Sequence, residues 1–159
     1  DDTYDVYEFH FINIHSADDN VNLGFQVNAT DGADFNDSPI TSSFFSAGHT
    51  EGGLYGAVGY EASFDSAQNS SSYTTIGLYF GNQNDESGSG ILRLYAPSST
   101  TYVKHWTSEI QVVTRDEYSR VGYSAGYIND TTAIDEISFK MSSGNIDAGE
   151  IRMYGVATS

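Results

Sequence analysis

Ile134-Asp135-Glu136-Ile137-Ser138-Phe139-Lys140-Met141 runs into Ser142-Ser143-Gly144-Asn145-Ile146-Asp147-Ala148-Gly149 and then Glu150-Ile151-Arg152-Met153-Tyr154-Gly155-Val156, and this closing stretch decides the fold class. Ile137, Phe139 and Met141 alternate with Glu136, Ser138 and Lys140, so an extended segment here has one apolar face and one wet face. Ser-Ser-Gly-Asn and Ala-Gly supply the residues that turns require, and the chain resumes as a second extended segment. The expectation is an antiparallel hairpin at this end.

The same period of two recurs upstream. Tyr7, Phe9 and Phe11 share one face of a segment from Tyr4 to His15, and Ile12 and Ile14 fall on the other, which predicts a bulge or a change of sheet. Val21, Leu23, Phe25, Val27 and Ala29 alternate with polar or small residues. Leu54, Val58, Tyr60, Ala62 and Phe64 line one face of the segment from Leu54 to Phe64. Thr74, Ile76, Leu78 and Phe80 follow, then Leu92, Leu94 and Ala96, then Trp106, Ile110 and Val112, then Val121, Tyr123, Ala125 and Tyr127. With the terminal pair this makes about nine strands, the number and spacing of a β-sandwich or jelly roll.

Composition agrees. The chain has 159 residues, with 16 glycines, 12 tyrosines and nine phenylalanines against two methionines and one tryptophan, a balance that favours strands and turns over helices. No window carries apolar residues at helical spacing. The length is that of one domain able to bury a sizeable core, with no composition break or fixed repeat, so residues 1–159 read as a single domain. No cysteine is present, which excludes disulfides and thiolate chemistry. No apolar run approaches the roughly 20 residues that span a bilayer as a helix, so membrane insertion is not expected. The first residues, Asp1-Asp2, suit a processed product, an excised domain or a start downstream of a leader.

Six basic residues face 22 acidic ones, a formal net charge of −16. Such a surface repels nucleic acid and anionic membrane, so neither is an expected partner. Self-repulsion also costs stability unless salt screens it, which points to a saline surrounding; acidity that simply keeps a β-rich chain soluble is the plainer reading.

An I-x-x-I-x-F strand, an S-G-N turn, a glycine before the return strand and a final Tyr154-Gly155 followed by Val156 resemble the C-terminal end of bacteriophage tail and virion surface proteins. Further landmarks follow in the same order. They are the tyrosine-rich opening Tyr4 to Phe9, the polar break Ser16 to Asn20, a strand closing on Asp31-Gly32, and a proline-serine turn at Tyr95 to Ser99. Glu150 and Arg152 depart from the small polar residues of that pattern. The resemblance implies a jelly-roll domain of a tail fibre, tail tip or capsid decoration, located on the virion surface. It also implies a homo-trimer held by other virion proteins, which presents loops to a host cell-surface glycan without performing chemistry. The alternative is a carbohydrate-binding module or lectin of a secreted protein.

Three connections are long: Asp31 to Ser46, Asp65 to Ser72, and Gly81 to Gly90. Loops at the rim of a rigid β scaffold are where recognition sits, which makes Asn82, Asn84 and Asp85 candidate ligand-binding residues. Asp31, Asp34, Asn36 and Asp37 offer oxygen donors but lack the donor spacing and closing glutamate of an EF-hand loop, so they read as solvated turn residues and no metal or cofactor is expected. Asn-x-Ser/Thr sequons at Asn28, Asn69 and Asn129 read as coincidences of a polar composition.

His10, His15, His49 and His105 are scattered; His10 and His15 fall on opposite faces of one strand unless a bulge intervenes. No H-E-x-x-H, G-x-S-x-G or P-loop is present, and Gly52 to Gly56 carries no lysine, so no catalytic residue is assigned. Tyrosine rings can stack on a pyranose. Tyr60, Trp106 and Tyr123 lie on apolar faces and read as core or interface, whereas Tyr55 among glycines and Tyr118 at a strand opening read as exposed ligand-binding candidates.

Overall fold

The computed structural model describes residues 3–29, 34–35, 38–67 and 71–157. It is an all-β, jelly-roll-like antiparallel sandwich. Among the described residues the strands are β1 (Val6–Ser16), β2 (Val21–Ala29), β3 (Ile40–Thr50), β4 (Gly56–Tyr60), β5 (Thr74–Phe80), β6 (Gly88–Tyr95), β7 (Lys104–Val113), β8 (Tyr118–Ile128), β9 (Ile134–Met141) and β10 (Ile146–Val156). One three-residue 3-10 turn, Ala62–Phe64, interrupts them, and among the described residues no helix is long and apolar enough to cross a membrane. The larger sheet has the order β10-β1-β6-β7-β8-β3-β4 and the smaller the order β5-β2-β9. Pairing is nested: β1 with β10, β2 with β9, β3 with β8, and β6 with β7 at the centre.

The core lies where the three-stranded sheet covers the middle of the seven-stranded one. Phe25 of β2 meets Trp106 of β7 edge-on at 4.8 Å, and Phe139 of β9 meets both Phe9 and Phe11 of β1 at 5.4 and 5.1 Å. Leu23, Phe25, Val27, Ile76, Phe80, Leu92 and Ile110 are fully buried between the layers. The alternation read at Val21 to Ala29 and at Trp106 to Val112 therefore points inward as expected. Gln26 and Asn28, on the other face of β2, are buried too. The connections around Ser38 and Ser71–Ser72 cross over them, and Gln26 Nε2 donates to the carbonyls of Ser38, Ser71 and Ser72 at 2.9–3.3 Å.

Four expectations change. First, the closing stretch is not a hairpin: β9 pairs with β2 in one sheet and β10 with β1 in the other. Period-two alternation fixes which face of a strand is apolar but not its neighbour: β9 turns Ile134 and Met141 into the core, whereas β10, at the edge of the larger sheet, stays largely exposed. Second, residues 40–46, assigned to the Asp31 to Ser46 connection, belong to β3 (Ile40–Thr50), of which only Ile40, Phe44 and Ser46 are buried. Its serines hide the period. Likewise Gly88–Gly90 begin β6 rather than end a loop.

Third, Leu54, Val58 and Tyr60 are 91, 76 and 64 % exposed, because β4 is an edge strand beyond the cover of the smaller sheet. Fourth, the bulge in β1 is present, with Asn13 at φ +50°, but it returns Ile14 to the core and leaves Ile12 outside. The parity change sends His15 to the same side as His10, opposite the buried Phe9, Phe11 and Ile14.

Candidate functional site

Because successive strands run in opposite directions, five connections gather at one end: those of β1–β2, β3–β4, β5–β6, β7–β8 and β9–β10. They are cross-tied. Ala17 N–H donates to the Asn145 carbonyl at 3.0 Å, Glu51 N–H to the Glu117 carbonyl at 2.9 Å, and Ser143 Oγ to Asp18 at 2.6 Å. Arg115 faces Asp19 at 3.8 Å, and Asn82 Nδ2 reaches the Ala17 carbonyl at 3.5 Å. Loops held this way are scaffold-positioned rather than free.

A cleft of about 260 Å³ at this rim is lined by Asn20, Tyr55, Tyr79, Thr114, Asp116, Tyr118 and Arg120. It opens between the two sheets. Tyr118 and Arg120 pair with Thr50 and Gly48 of β3 and face inward from the larger sheet, while Tyr79 comes from β5 of the smaller one. Tyr55 and Tyr118 meet at 6.5 Å with an interplanar angle of 66°. The Arg120 guanidinium lies 4.9 Å from the Tyr79 ring centre, within cation–π range, and its Nη1 donates to Ser46 Oγ at 3.3 Å and Glu61 at 3.4 Å. The pair is three-quarters buried, so Glu61 neutralises Arg120 locally and the guanidinium acts as a fixed plate against which Tyr79 is held.

Tyr79 adopts φ +59°, a conformation bulky residues avoid. It sits where the β2–β5 register slips, and its N–H is taken up by Asn22 Oδ1 at 3.0 Å. A non-glycine residue held there costs roughly 1–3 kcal/mol and persists only when its surroundings over-determine it. Asn20 and Glu117, also left-handed at +58° and +57°, flank the same rim.

A larger open groove of about 810 Å³ lies along β1 and β10, lined by Ile12, Asn13, His15, Asn84, Ser87, Asp147 to Glu150 and Arg152. His15 Nδ1 is 2.7 Å from Asp147 Oδ1 and its Nε2 is 3.0 Å from the Gln83 carbonyl. Two acceptors require two N–H donors, so the ring is an imidazolium; Asp147 first, then the Gln83 carbonyl, hold its pKa above the usual histidine value. The β5–β6 loop is closed by buried Glu86, whose carboxylate accepts from Gln83 N–H at 2.7 Å. A Cβ at Gly81 would lie 2.0 Å from that carboxylate, which explains glycine there. Across the rim, the Glu117 carboxyl is held above the ordinary range by Glu51, with Asp85 and Glu86 adding to it.

The five sequence candidates thus reach one end of the sandwich but not one site. Tyr55 and Tyr118 share the cleft; Asn84 borders the groove; Asp85 is exposed on the flank towards Glu117; Asn82 is tied to Ala17. Trp106 is core, as read. Tyr79 and Arg120 were missed, and no local signal marks them: only the bulge and the facing sheet bring them to the cleft. Among the described residues no group of three or more histidine or acidic side chains could hold a metal ion, and most of the Asp31 to Asp37 segment lies outside the described residues. Comparison with protein-family models, curated proteins and solved structures finds no match.

Proposed function

We propose that this domain is a non-enzymatic adhesion module that takes a glycan into the tyrosine cleft, carried on a bacteriophage virion surface as a tail or capsid-decoration element. The observation that carries the binding half is the convergence of Tyr55, Tyr79 and Tyr118 around Arg120 at the loop end. Aromatic faces stack on the apolar face of a pyranose, and phenolic hydroxyls with Asn20, Thr114 and Asp116 provide donors and acceptors for its hydroxyls. The bulge holds Tyr79 in place before binding, so little ordering entropy is lost on contact. The net charge of −16 and the Glu61 partner of Arg120 favour a neutral sugar over an acidic one. The virion half is supported by the order of sequence landmarks from Tyr4 to Val156.

A glycan array probed with the isolated chain tests the binding half. Tyr118→Ala and Tyr55→Ala should each weaken binding of a neutral glycan about tenfold, the worth of one stacked ring, without lowering the melting temperature. Tyr79→Gly should weaken it as much while relieving the left-handed backbone, so that stability holds or rises. Binding lost on joint substitution of Asn82, Asn84 and Asp85, yet retained in the tyrosine variants, would move the contact to the β5–β6 loop. Electron microscopy of intact particles decides between the virion carrier and the second reading, a lectin of a secreted protein that uses the same cleft.

A further inference from the structure

We infer that β10 is a self-complementary edge through which two copies of this chain pair about a two-fold axis, joining their seven-stranded sheets. β10 is 11 residues long, forms one edge of the larger sheet and, among the described residues, pairs on one side only, against β1. The opposite edge, β4, spans five residues. Natural sheets blunt long edges with short length, prolines, bulges and charges; β10 has its irregularity at Gly149, but from Glu150 to Val156 it keeps a regular register with β1, has no proline or lysine, and exposes Ile151, Met153, Tyr154 and Val156 at 38–62 %.

The occupant is a second β10 because its charges match themselves. Glu150 and Arg152 point to the same side of the strand and already touch at 2.5 Å. In an antiparallel pair centred on Ile151, the midpoint of the strand, Glu150 stands opposite Arg152 of the second copy and Arg152 opposite its Glu150. Four charges of alternating sign then form a closed square on the outer face, the arrangement that favours opposed residues in a ladder. On the inner face Ile151 meets its own copy, and Met153 stands over Gly149, where no side chain competes for the space. A two-fold axis normal to the sheet keeps the inner face inner on both sides, so the apolar residues remain together. The contact is independent of the glycan reading, since the tyrosine cleft is lined from β5, β8 and the β1–β2, β3–β4 and β7–β8 connections, with no residue of β10.

Sedimentation of the full chain at about 0.15 M salt, where the screening length of about 8 Å removes most long-range repulsion between the two acidic copies, should give a concentration-dependent dimer. Arg152→Glu places four carboxylates at the axis and should weaken the dimer at least tenfold, as should Glu150→Arg. The double swap restores the alternating square and should recover affinity to within about threefold. The chain has no cysteine, so Ile151→Cys provides a single thiol that should form the inter-chain disulfide on oxidation. Met153→Cys, displaced about 13 Å from its own copy in this register, should not. Circular-dichroism melts confirm that the variants fold. A chain that stays monomeric at millimolar concentration, sediments as a trimer, or forms a dimer indifferent to Arg152→Glu would overturn the inference.

Discussion

Replacing His15 by glutamine should remove a proton-dependent clamp between the β5–β6 loop and β10. The ring donates to Asp147 at 2.7 Å and to the Gln83 carbonyl at 3.0 Å, and its side chain is 18 % exposed against 47 % for Asp147. A charge-assisted hydrogen bond is worth about 1.5–3 kcal/mol when shielded, and an exposed ion pair about 0.2–1 kcal/mol. Half-exposed Asp147 places the clamp near the lower bound, about 1.5 kcal/mol. For a domain of this size that corresponds to about 3–6 °C in melting temperature.

The sign follows from linkage. The folded-state pKa is raised, so the contribution is fully present below the unfolded value of about 6.5 and is lost as pH rises through the folded value. Thermal melts of wild type and His15→Gln between about pH 5.5 and 9 should show a gap that is widest at the acid end and closes with rising pH. Amide exchange in residues 81–87 should speed up in parallel. Asp147→Asn should abolish most of the pH-dependent part in the wild-type background and change little of the pH dependence once His15 is glutamine. A gap that is constant, or that widens with pH, would refute the imidazolium reading.

Other outcomes follow from packing and charge. A Cβ at Gly90 would lie 2.1 Å from the Glu109 carbonyl oxygen and 2.7 Å from Ile110 Cα, both backbone atoms, so Gly90→Ala should cost at least about 3 kcal/mol in urea unfolding. Gly59→Ala, with nothing within 4 Å, should stay within about 0.5 kcal/mol. Phe25→Ala empties the contact with Trp106 and should cost about 3–5 kcal/mol, read as a melting temperature lower by about 10 °C. Raising sodium chloride should raise the wild-type melting temperature, because screening relieves repulsion among 22 acids and six bases; a midpoint that falls would reverse this account.

Most buried faces were legible residue by residue; β8 was the exception, where the expected face of Val121, Tyr123, Ala125 and Tyr127 lies outside and Gly122, Ser124 and Ile128 are buried. Phe9, Phe11, Leu23, Phe25, Val27, Ile76, Phe80, Trp106 and Ile110 all sit inside, as their alternation requires. Legibility failed where side chains are small or where cover ends. Ser42, Ser43 and Ser46 blur the period of β3, and Val58 and Tyr60 keep their period on an edge strand that nothing packs upon. Tyr55 and Tyr118 were readable from their glycine-rich and strand-opening positions. Their partners Tyr79 and Arg120 were not, since one depends on a register slip and the other on the sheet opposite.

Amino-acid order alone determined that this chain is extended and layered, which residues those layers hide, and that its surface is strongly acidic, because each of these depends on side-chain type and on a repeat of two along the backbone. The three-dimensional arrangement decided which strands are neighbours, that β9 and β10 lie in different sheets, and that three tyrosines and an arginine share one cleft. Backbone hydrogen bonds are the same for every sequence, so pairing carries no local signature and is set only when all the apolar faces are buried at once.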